Sequence, residues 1–270
     1  MLFRRLLAGA ALFGLTTAQV TSDCNPYEGD ECDPNPALGT SETWHFNSTP
    51  NGDLWETQVG PIYYDSETGA RFTVAKQGDS PTIRTKFYFF FGRAEMHLKA
   101  APGKGIVSSM MLLSDDLDEI DWEFIGVKNS ASSNYFGKGI EDFTNGEWYD
   151  MDGSTPHDDY HNYTVHWTEE KLEWWVDENL VRTVTKGDGT EVNGTDTYPQ
   201  TPMRMSLGIW AGGDPRLPEG TREWAGGEVD FDEGPFDMYV KQAFIEDYST
   251  GKEFIWQDDS GSMESIKVVE

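Results

Sequence analysis

Short runs of β-branched and aromatic residues recur along the chain and predict β-strands. Gly, Pro, Asn and Asp separate these runs, and helical periodicity over twelve or more residues is absent. The predicted strands cover residues 82–91, 93–99, 106–113, 119–125, 160–167, 171–176, 180–185, 203–211 and 236–247. Many short strands in one chain of 270 residues predict an all-β fold, a two-sheet antiparallel sandwich of the jelly-roll type.

The segment 119–125 has an unusual alternation, because each of Glu119, Asp121 and Glu123 is followed by an apolar residue. In a strand the three acids share one face, and the apolar residues share the face suited to a core. Neighbouring acids then lie about 6.6 Å apart, from a rise of about 3.3 Å per residue. Like charges at this spacing repel each other on a partly desolvated face. The pattern therefore indicates carboxyl groups kept for chemistry rather than for stability.

Cleavage of a glycosidic bond needs carboxyl groups of this kind. One carboxylate attacks the anomeric carbon while a protonated carboxyl donates to the leaving oxygen, and in retaining enzymes the two lie about 5–5.5 Å apart. The pattern Glu-x-Asp-x-Glu supplies nucleophile, helper and acid/base on a single strand. Two other interpretations stay open, a solvated acidic face and a calcium site, although the spacing lacks the Gly and the ligand alternation of an EF-hand loop.

Composition narrows the choice of partner. The chain has 20 Lys and Arg against 48 Asp and Glu, a formal charge of −28. A surface this acidic repels phosphate backbones and anionic membranes, which excludes nucleic acid as a partner. Hydrophobic residues make up 37% of the sequence and aromatic residues 13%, which excludes wholesale disorder. We expect a folded protein whose partner is neutral or cationic.

The start of the chain predicts secretion, because a basic head, an apolar run of about ten residues and Ala18 form a signal peptide over residues 1–18. Residues 19–40 read as an irregular lead-in, residues 41–250 as the β-jelly-roll catalytic domain and residues 251–270 as a C-terminal extension. No hydrophobic tail closes the sequence, so neither a transmembrane segment nor a lipid-anchor signal is expected in it.

Two features of the sequence agree with export. Cys24 and Cys32 are close together and are expected to form a disulfide in an oxidising compartment, with two free thiols as the alternative. Asn47, Asn162 and Asn193 begin Asn-x-Ser/Thr sequons, which are glycan acceptors if they are exposed and chance occurrences otherwise.

Several residues outside the acidic segment are candidates for binding a neutral polysaccharide through aromatic faces and polar groups. Trp210 and Trp224 lie in Gly-rich segments, and core packing is their alternative role. Arg204 lies six residues before Trp210, so both fit one strand face, and a surface salt bridge is its alternative. Thr221 lies near Trp224. Tyr135 fits a cleft or the core equally well.

The five His residues show no metal-ligand spacing, so we expect neither a metal nor a cofactor.

The residues 118–123, Asp-Glu-Ile-Asp-Trp-Glu, resemble the catalytic motif of glycoside hydrolase family 16. The flanking segments 91–95, 101–109, 134–139, 208–213 and 223–227, with the lead-in from Cys24, resemble the fungal Crh-type cell-wall transglycosylases. The resemblance covers roughly residues 24–248. It implies a jelly-roll with a long concave sugar-binding cleft, with Glu119 as nucleophile, Asp121 as its assistant and Glu123 as general acid/base.

The resemblance also implies a substrate and a location. Members of this group cut chitin and transfer the new end to chitin or β-glucan, which cross-links the fungal wall. It implies a secreted wall protein and a monomer, tethered in many members by a glycolipid anchor on a tail that this chain does not include. Two alternatives remain: an endo-β-glucanase or chitin hydrolase on the same scaffold, and a non-catalytic jelly-roll lectin.

Overall fold

The computed structural model describes residues 22–151 and 153–270, and the predicted signal peptide lies outside them. Its strands are β1 (Asn35–Pro36), β2 (Ser41–His45), β3 (Trp55–Val59), β4 (Ile62–Asp65), β5 (Gly69–Val74), β6 (Thr82–Thr85), β7 (Gly92–Lys99), β8 (Val107–Ser114), β9 (Glu119–Ile125), β10 (Ser130–Phe136), β11 (Glu147–Asp150), β12 (His161–Trp167), β13 (Lys171–Val176), β14 (Asn179–Thr185), β15 (Glu191–Val192), β16 (Thr195–Asp196), β17 (Met203–Trp210), β18 (Phe236–Asp247), β19 (Glu253–Trp256) and β20 (Ile266–Val269). The helical segments are α1 (Glu219–Trp224) and 3₁₀ turns at Pro26–Glu28, Phe143–Asn145, Phe231–Glu233 and Met263–Ser265.

Two large antiparallel sheets form the body of the molecule. One has the strand order β11-β10-β9-β8-β17-β6-β3, and the other has the order β14-β13-β12-β7-β18-β5-β4, with β2 also paired to β18. Strand β7 alternates buried apolar residues with half-buried polar ones, as its sequence predicts. The predicted all-β antiparallel sandwich is confirmed.

Aromatic residues of both large sheets meet in the core between them. Trp122 and Phe124 of β9 are fully buried, and their ring centroids lie 5.6 Å and 4.4 Å from that of Tyr163 on β12. The indole Nε1 of Trp122 donates to the carbonyl of Thr164 at 3.2 Å, and Nε1 of Trp174 donates to the carbonyl of Asp121 at 3.0 Å. Because each buried indole bonds to the opposite sheet, β9 is fixed in position relative to the core.

The two ends of the described chain pack together. Strand β1 of the lead-in pairs with β19, and β19 pairs with β20. Phe254 of β19 is fully buried, with its ring centroid 5.7 Å from that of Phe90, and Trp256 donates from Nε1 to Asn35 at 3.0 Å. The predicted disulfide between Cys24 and Cys32 is confirmed, with 5.8 Å between the Cα atoms. The segment 251–270, which the sequence indicates only as an extension, is therefore part of the folded domain.

Candidate active site

Strand β9 lies inside the seven-stranded sheet, between β8 and β10. Its acidic side chains share one face with the residues directly opposite them on these strands. Those residues are Leu113 and Phe136 beside Glu119, Met111 and Asn134 beside Asp121, and Ser109 and Ser132 beside Glu123. We name this surface of the seven-stranded sheet the acidic face.

The two faces of β9 carry different kinds of side chain. Its apolar side chains Ile120, Trp122 and Phe124 are fully buried between the sheets. On the acidic face, Glu119 and Glu123 are half-buried and remain accessible, whereas Asp121 between them is only 4% exposed. The core side of the strand thus holds the acids in place, and the acidic face presents Glu119 and Glu123 to a ligand.

Burial raises the pKa of all three carboxyls. The pKa of Glu123 rises to about 8, because burial disfavours its charge and the charge of Glu119 acts in the same direction. Burial raises the pKa of Glu119 to about 6, while a hydrogen bond with Asp121 acts in the opposite direction. The pKa of Asp121 lies well above its ordinary value, through burial first and then through the charges of Glu119 and Glu123.

The hydrogen bond between Glu119 and Asp121 gives the three acids different roles. It lowers the pKa of Glu119 and raises the pKa of Asp121, as expected when Asp121 keeps its proton and donates it to a Glu119 carboxylate. Between pH values of about 6 and about 8, Glu119 is then ionised while Glu123 is protonated. The arrangement can deliver a nucleophile and an acid at the same time.

Arg204 and Trp210 lie on the acidic face, on β17. The Arg204 guanidinium lies 4.8 Å from the ring centroid of Tyr88, and one of its terminal nitrogens is 3.9 Å from Asp115. Its Nε is buried without a hydrogen-bond partner among residues 22–151 and 153–270. Tyr88 and Asp115 therefore hold Arg204 in the row of residues across the sheet that also contains Leu113 and Glu119.

Trp210 and Trp224 form a stacked pair at one end of the acidic face. Their ring centroids are 6.2 Å apart with an interplanar angle of 21°. Both pack against the apolar cluster of Val107, Ile125 and Ala225, in which Val107 and Ile125 lie at the Glu123 end of β8 and β9. Thr221 lies in α1 with Trp224 and is half-buried. The even spacing of Arg204 and Trp210 thus brings both residues to the face that carries the acids.

Tyr135 does not line the acidic face. It pairs with Ile120, so its side chain points into the core, where it is 3% exposed and its ring centroid lies 6.4 Å from that of Trp174. The prediction that Tyr135 contacts substrate is therefore wrong, because its register on β10 is that of the core residues.

The aromatic residues that the sequence analysis missed lie at the β10–β11 side of the acidic face. Phe136 lies opposite Glu119, and Phe143 packs edge-on against it with 5.9 Å between the ring centroids. Trp148 pairs with Ser132 and so shares the face, with Lys128 Nζ 3.5 Å from its ring centroid. Phe143 is 71% exposed and Trp148 39%. The segment 130–136 is rich in Ser and Asn and has no apolar alternation, so the sequence carries no clear signal that places these residues on the acidic face.

The three sequons lie in different surroundings. Asn47 and Asn193 are exposed, the latter in the turn between β15 and β16. Asn162 is half-buried on β12 and donates from its side-chain nitrogen to Glu95 at 2.8 Å.

In the part of the chain that is described, no three His, Cys, Asp or Glu residues are grouped to hold a metal ion. No helix of that part has the length and hydrophobicity to span a bilayer.

Comparison with known proteins identifies the family. The model of "Glycosyl hydrolases family 16" matches residues 50–226. The chain is 50% identical to "Crh-like protein 2" of Botryotinia fuckeliana, covering 98% of this chain and 58% of that protein. It is 48% identical to "Crh-like protein 5" of Aspergillus fumigatus, covering 96% of this chain and 64% of that protein. The chain thus spans less than two thirds of the length of these relatives, and it belongs to glycosyl hydrolases family 16, among the Crh-like proteins.

Solved structures agree with this fold. The apo Crh5 transglycosylase matches with a TM-score of 0.85 and 47% identity, over 91% of this chain and 100% of that one. A structure of the same transglycosylase in complex with NAG matches equally well. The β-glucanase of Bacillus licheniformis has a TM-score of 0.64 at 22% identity, over 77% of this chain and 99% of that one, which shows the shared fold alone.

Proposed function

We propose that this protein is a retaining transglycosylase that cleaves β-1,4-linked chitin and transfers it to chitin or β-glucan. The observation that carries the proposal is the arrangement of Glu119, Asp121 and Glu123 on one face of β9, with Asp121 bonded to Glu119 and the pKa of Glu123 raised to about 8. An ionised nucleophile beside a protonated acid is what the first step of a retaining reaction requires.

In the first step, the Glu119 carboxylate attacks the anomeric carbon of the donor sugar. The bond to the leaving oxygen breaks, and Glu123 gives its proton to that oxygen, so that a glycosyl-enzyme ester and a shortened chain result. The Cα atoms of residues four apart on a strand lie about 13 Å apart. Two Glu side chains that lean toward one linkage close much of this gap. Asp121 holds the Glu119 carboxylate in position through its hydrogen bond.

In the second step, the roles of Glu123 reverse. Its carboxylate takes the proton from a hydroxyl of the acceptor sugar, whose oxygen attacks the anomeric carbon and releases Glu119. Two inversions give net retention. Transfer requires the acceptor hydroxyl to react before water does, which a bound and oriented acceptor achieves through its effective concentration.

Aromatic side chains on both sides of the acids support binding of two sugar chains. Trp210 and Trp224 lie toward the end of the face near Ile125, and Phe143 and Trp148 lie at the β10–β11 side. Aromatic rings bind the apolar faces of sugars, and the guanidinium of Arg204, whose side chain is partly exposed, suits a hydroxyl or an N-acetyl carbonyl. The names of the Crh5 relatives, a transglycosylase and its complex with NAG, support transfer and a chitin donor.

The surface charge supports a neutral polymer rather than an anionic one. With 48 acidic against 20 basic residues, the protein attracts no polyanion, and chitin and β-glucan carry no charge. We propose further that the protein acts as a monomer in the fungal cell wall after secretion, with glycans on the exposed Asn47 and Asn193 and with tethering by a glycolipid anchor. The half-buried Asn162 is the least suited of the three sequons.

The decisive experiment mixes a labelled chito-oligosaccharide donor with laminari-oligosaccharide and chito-oligosaccharide acceptors and identifies the products by mass spectrometry. We expect joined products longer than the donor with the wild type and none with Glu119→Gln. Shortened, unjoined products alone would instead identify an endo-β-glucanase or chitin hydrolase. Binding without any product in the wild type would identify a lectin.

A further inference from the structure

Two buried acids that the mechanism above does not use lie just before the nucleophile. Asp116 and Asp118 belong to the turn between β8 and β9, and both are fully buried. The turn is closed by the Ser114 amide, which donates to the Asp118 carbonyl at 2.9 Å, and by the Asp118 amide, which donates to the Ser114 hydroxyl at 2.9 Å. Asp118 is followed directly by Glu119, so whatever fixes Asp118 also fixes the start of the catalytic strand.

Asp118 is bonded to two other segments of the chain. Its Oδ1 accepts from the backbone N–H of Lys138 at 3.1 Å, in the turn after β10. Its Oδ2 accepts from the backbone N–H of Gln200 at 2.8 Å and from the hydroxyl of Thr201 at 2.8 Å, just before β17. The Lys138 ammonium lies 3.7 Å from Oδ1. Both oxygens of Asp118 are thus acceptors for backbone donors, as suits an ionised carboxylate.

The hydroxyl of Thr201 faces two carboxyl groups with a single hydrogen. Its Oγ1 lies 2.8 Å from Asp118 and 2.7 Å from Asp116. If both acids were ionised, one of these close oxygen pairs would have no hydrogen between its members. A proton on Asp116 completes the chain from Asp116 through Thr201 to Asp118. It also leaves one negative charge beside the positive charge of Lys138, which suits a fully buried group.

The environment of the pair agrees with one retained proton. Burial and the charge of Asp116 raise the pKa of Asp118 to about 7, and burial raises the pKa of Asp116. The charged groups that act on the pair are each other and Lys138, and the remaining contacts are neutral donors of Ser114, Thr201 and the backbone. The Oδ2 of Asp116 has no hydrogen-bond partner in the described ranges 22–151 and 153–270. Both carboxylate oxygens of Asp118, in contrast, accept hydrogen bonds. Asp116 is therefore the better proton holder.

The turn between the two acids adopts a conformation that needs such support. Leu117 has a φ of 64°, in the left-handed region that non-glycine residues with bulky side chains rarely adopt. Its carbonyl accepts from the Gly139 amide at 3.0 Å, and its neighbours on both sides are the buried acids. A residue of this kind keeps its conformation only when the surrounding contacts fix it.

We propose that Asp116, Thr201 and Asp118 share one proton beneath the start of β9, and that Asp118, fixed in this way, is the positioning residue for Glu119. The inference rests on the proposed role of Glu119 as nucleophile. If Asp118 loses its charge, the turn loosens, Glu119 moves relative to Asp121, and their hydrogen bond weakens. Because that bond lowers the pKa of Glu119, its loss moves the acidic limb of the pH–rate profile to higher pH.

The test compares the same substitution at two neighbouring sites. An amide imitates a protonated carboxyl, so Asp116→Asn is expected to keep kcat within about threefold and Tm near that of the wild type. Asp118→Asn is expected to lower kcat at least about tenfold with KM for chitotetraose unchanged, and to shift the acidic limb upward. Equal effects of the two variants on kcat, or a larger effect of Asp116→Asn, would overturn the proposal.

Thr201 provides a second test if Asp118→Asn does not fold. Thr201→Ser keeps the hydroxyl and is expected to behave like the wild type, whereas Thr201→Val should lose activity and shift the acidic limb as Asp118→Asn does. Equal activity of the two Thr201 variants contradicts the shared proton. Near-UV circular dichroism shows that each variant is folded. A wild type without any sugar-transfer or hydrolytic activity would instead contradict the proposed function, while the difference in Tm between Asp116→Asn and Asp118→Asn would still test the shared proton.

Discussion

Two groups of three acids occupy adjacent stretches of the chain and differ in the donors they receive. We name them the turn group and the strand group. The turn group is Asp115, Asp116 and Asp118, and the strand group is Glu119, Asp121 and Glu123. In the turn group, Asp115 accepts from Asn35 and from the Tyr88 hydroxyl, both at 2.7 Å, and Asp118 accepts from two backbone amides. Across the described residues, the carboxyl groups of the strand group receive no side-chain or backbone donor except through the bond between Glu119 and Asp121.

The comparison shows that a raised pKa alone does not distinguish a catalytic acid from a structural one. Burial raises the pKa of Asp118 to about 7 and that of Glu123 to about 8. What differs is the supply of donors from the rest of the protein. Backbone and side-chain donors reach the carboxyl groups of the turn group, with Asp116 Oδ2 as an exception, whereas the carboxyl groups of the strand group receive none from outside the group. Acids without donors cost stability, and they remain available to a ligand.

The largest effect expected from this difference is on activity. Glu119→Gln removes the nucleophile while keeping its size, so transfer should fall by about 10⁴-fold or more. The labelled donor assay measures the loss, and chitotetraose binding by calorimetry should persist because the aromatic residues are unchanged. Transfer within tenfold of the wild type would show that the strand group is not the catalytic one.

Removing the cation beside the turn group should lower the stability of the protein. Lys138→Met removes the one cation that acts on Asp116 and Asp118 among the described residues. Breaking a buried ion pair on one side costs about 3–5 kcal/mol, which urea unfolding measures. Lys252→Met, at an exposed lysine, is the matched control and should change stability by less than about 0.5 kcal/mol. A loss as small as that of the control would show that the turn group needs no cation.

The strand group could be predicted from sequence because its pattern is local. Alternation over seven residues was enough to place Glu119, Asp121 and Glu123 on one face and Trp122 in the core. The even spacing of Arg204 and Trp210 was sufficient for the same reason, since both lie on one uninterrupted strand. A period of two is preserved wherever the strand is regular.

The turn group could not be predicted, because its donors come from distant parts of the chain. Thr201 is 85 residues from Asp116, and Asn35 is 80 residues from Asp115. Tyr135 was misassigned for a related reason. Strand β10 is rich in Ser and Asn, so its residues showed no apolar pattern, and without its register the direction of Tyr135 was undetermined. Long-range hydrogen bonds and strand register depend on the tertiary fold rather than on the local sequence.

Asp121 is the acid that supplies the strand group with a donor of its own. Asp121→Ala removes the hydrogen bond to Glu119, so the pKa of Glu119 rises and the acidic limb of the pH–rate profile moves to higher pH. A hydrogen bond to a charged group is worth about 1.5–3 kcal/mol, which corresponds to roughly tenfold or more in rate on the acidic side. Asp121→Asn keeps an N–H donor and should shift the limb less. The same limb position in both variants would exclude Asp121 as the donor.

The smallest expected effect is on the stability of the folded protein, which the ionised carboxylate of Glu123 lowers. The folded protein holds the proton of Glu123 up to a pKa of about 8, whereas an unfolded Glu releases it near 4.5. The contribution of this proton to stability is therefore complete below about pH 4.5 and is lost as the pH rises through about 8.

Glu123→Gln is neutral at every pH, so its Tm should match that of the wild type at pH 4 and exceed it at pH 8.5. One kcal/mol corresponds to roughly 2–4 °C for a chain of this size, and a gain of this order is expected. Glu67→Gln, at an exposed glutamate, should show no such dependence on pH. A gain for Glu123→Gln that is equal at both pH values would mean that repacking, rather than the unsatisfied carboxyl, produces it. In that case the charge of Glu123 would not destabilise the folded protein, and the strand group would not differ from the turn group in this respect.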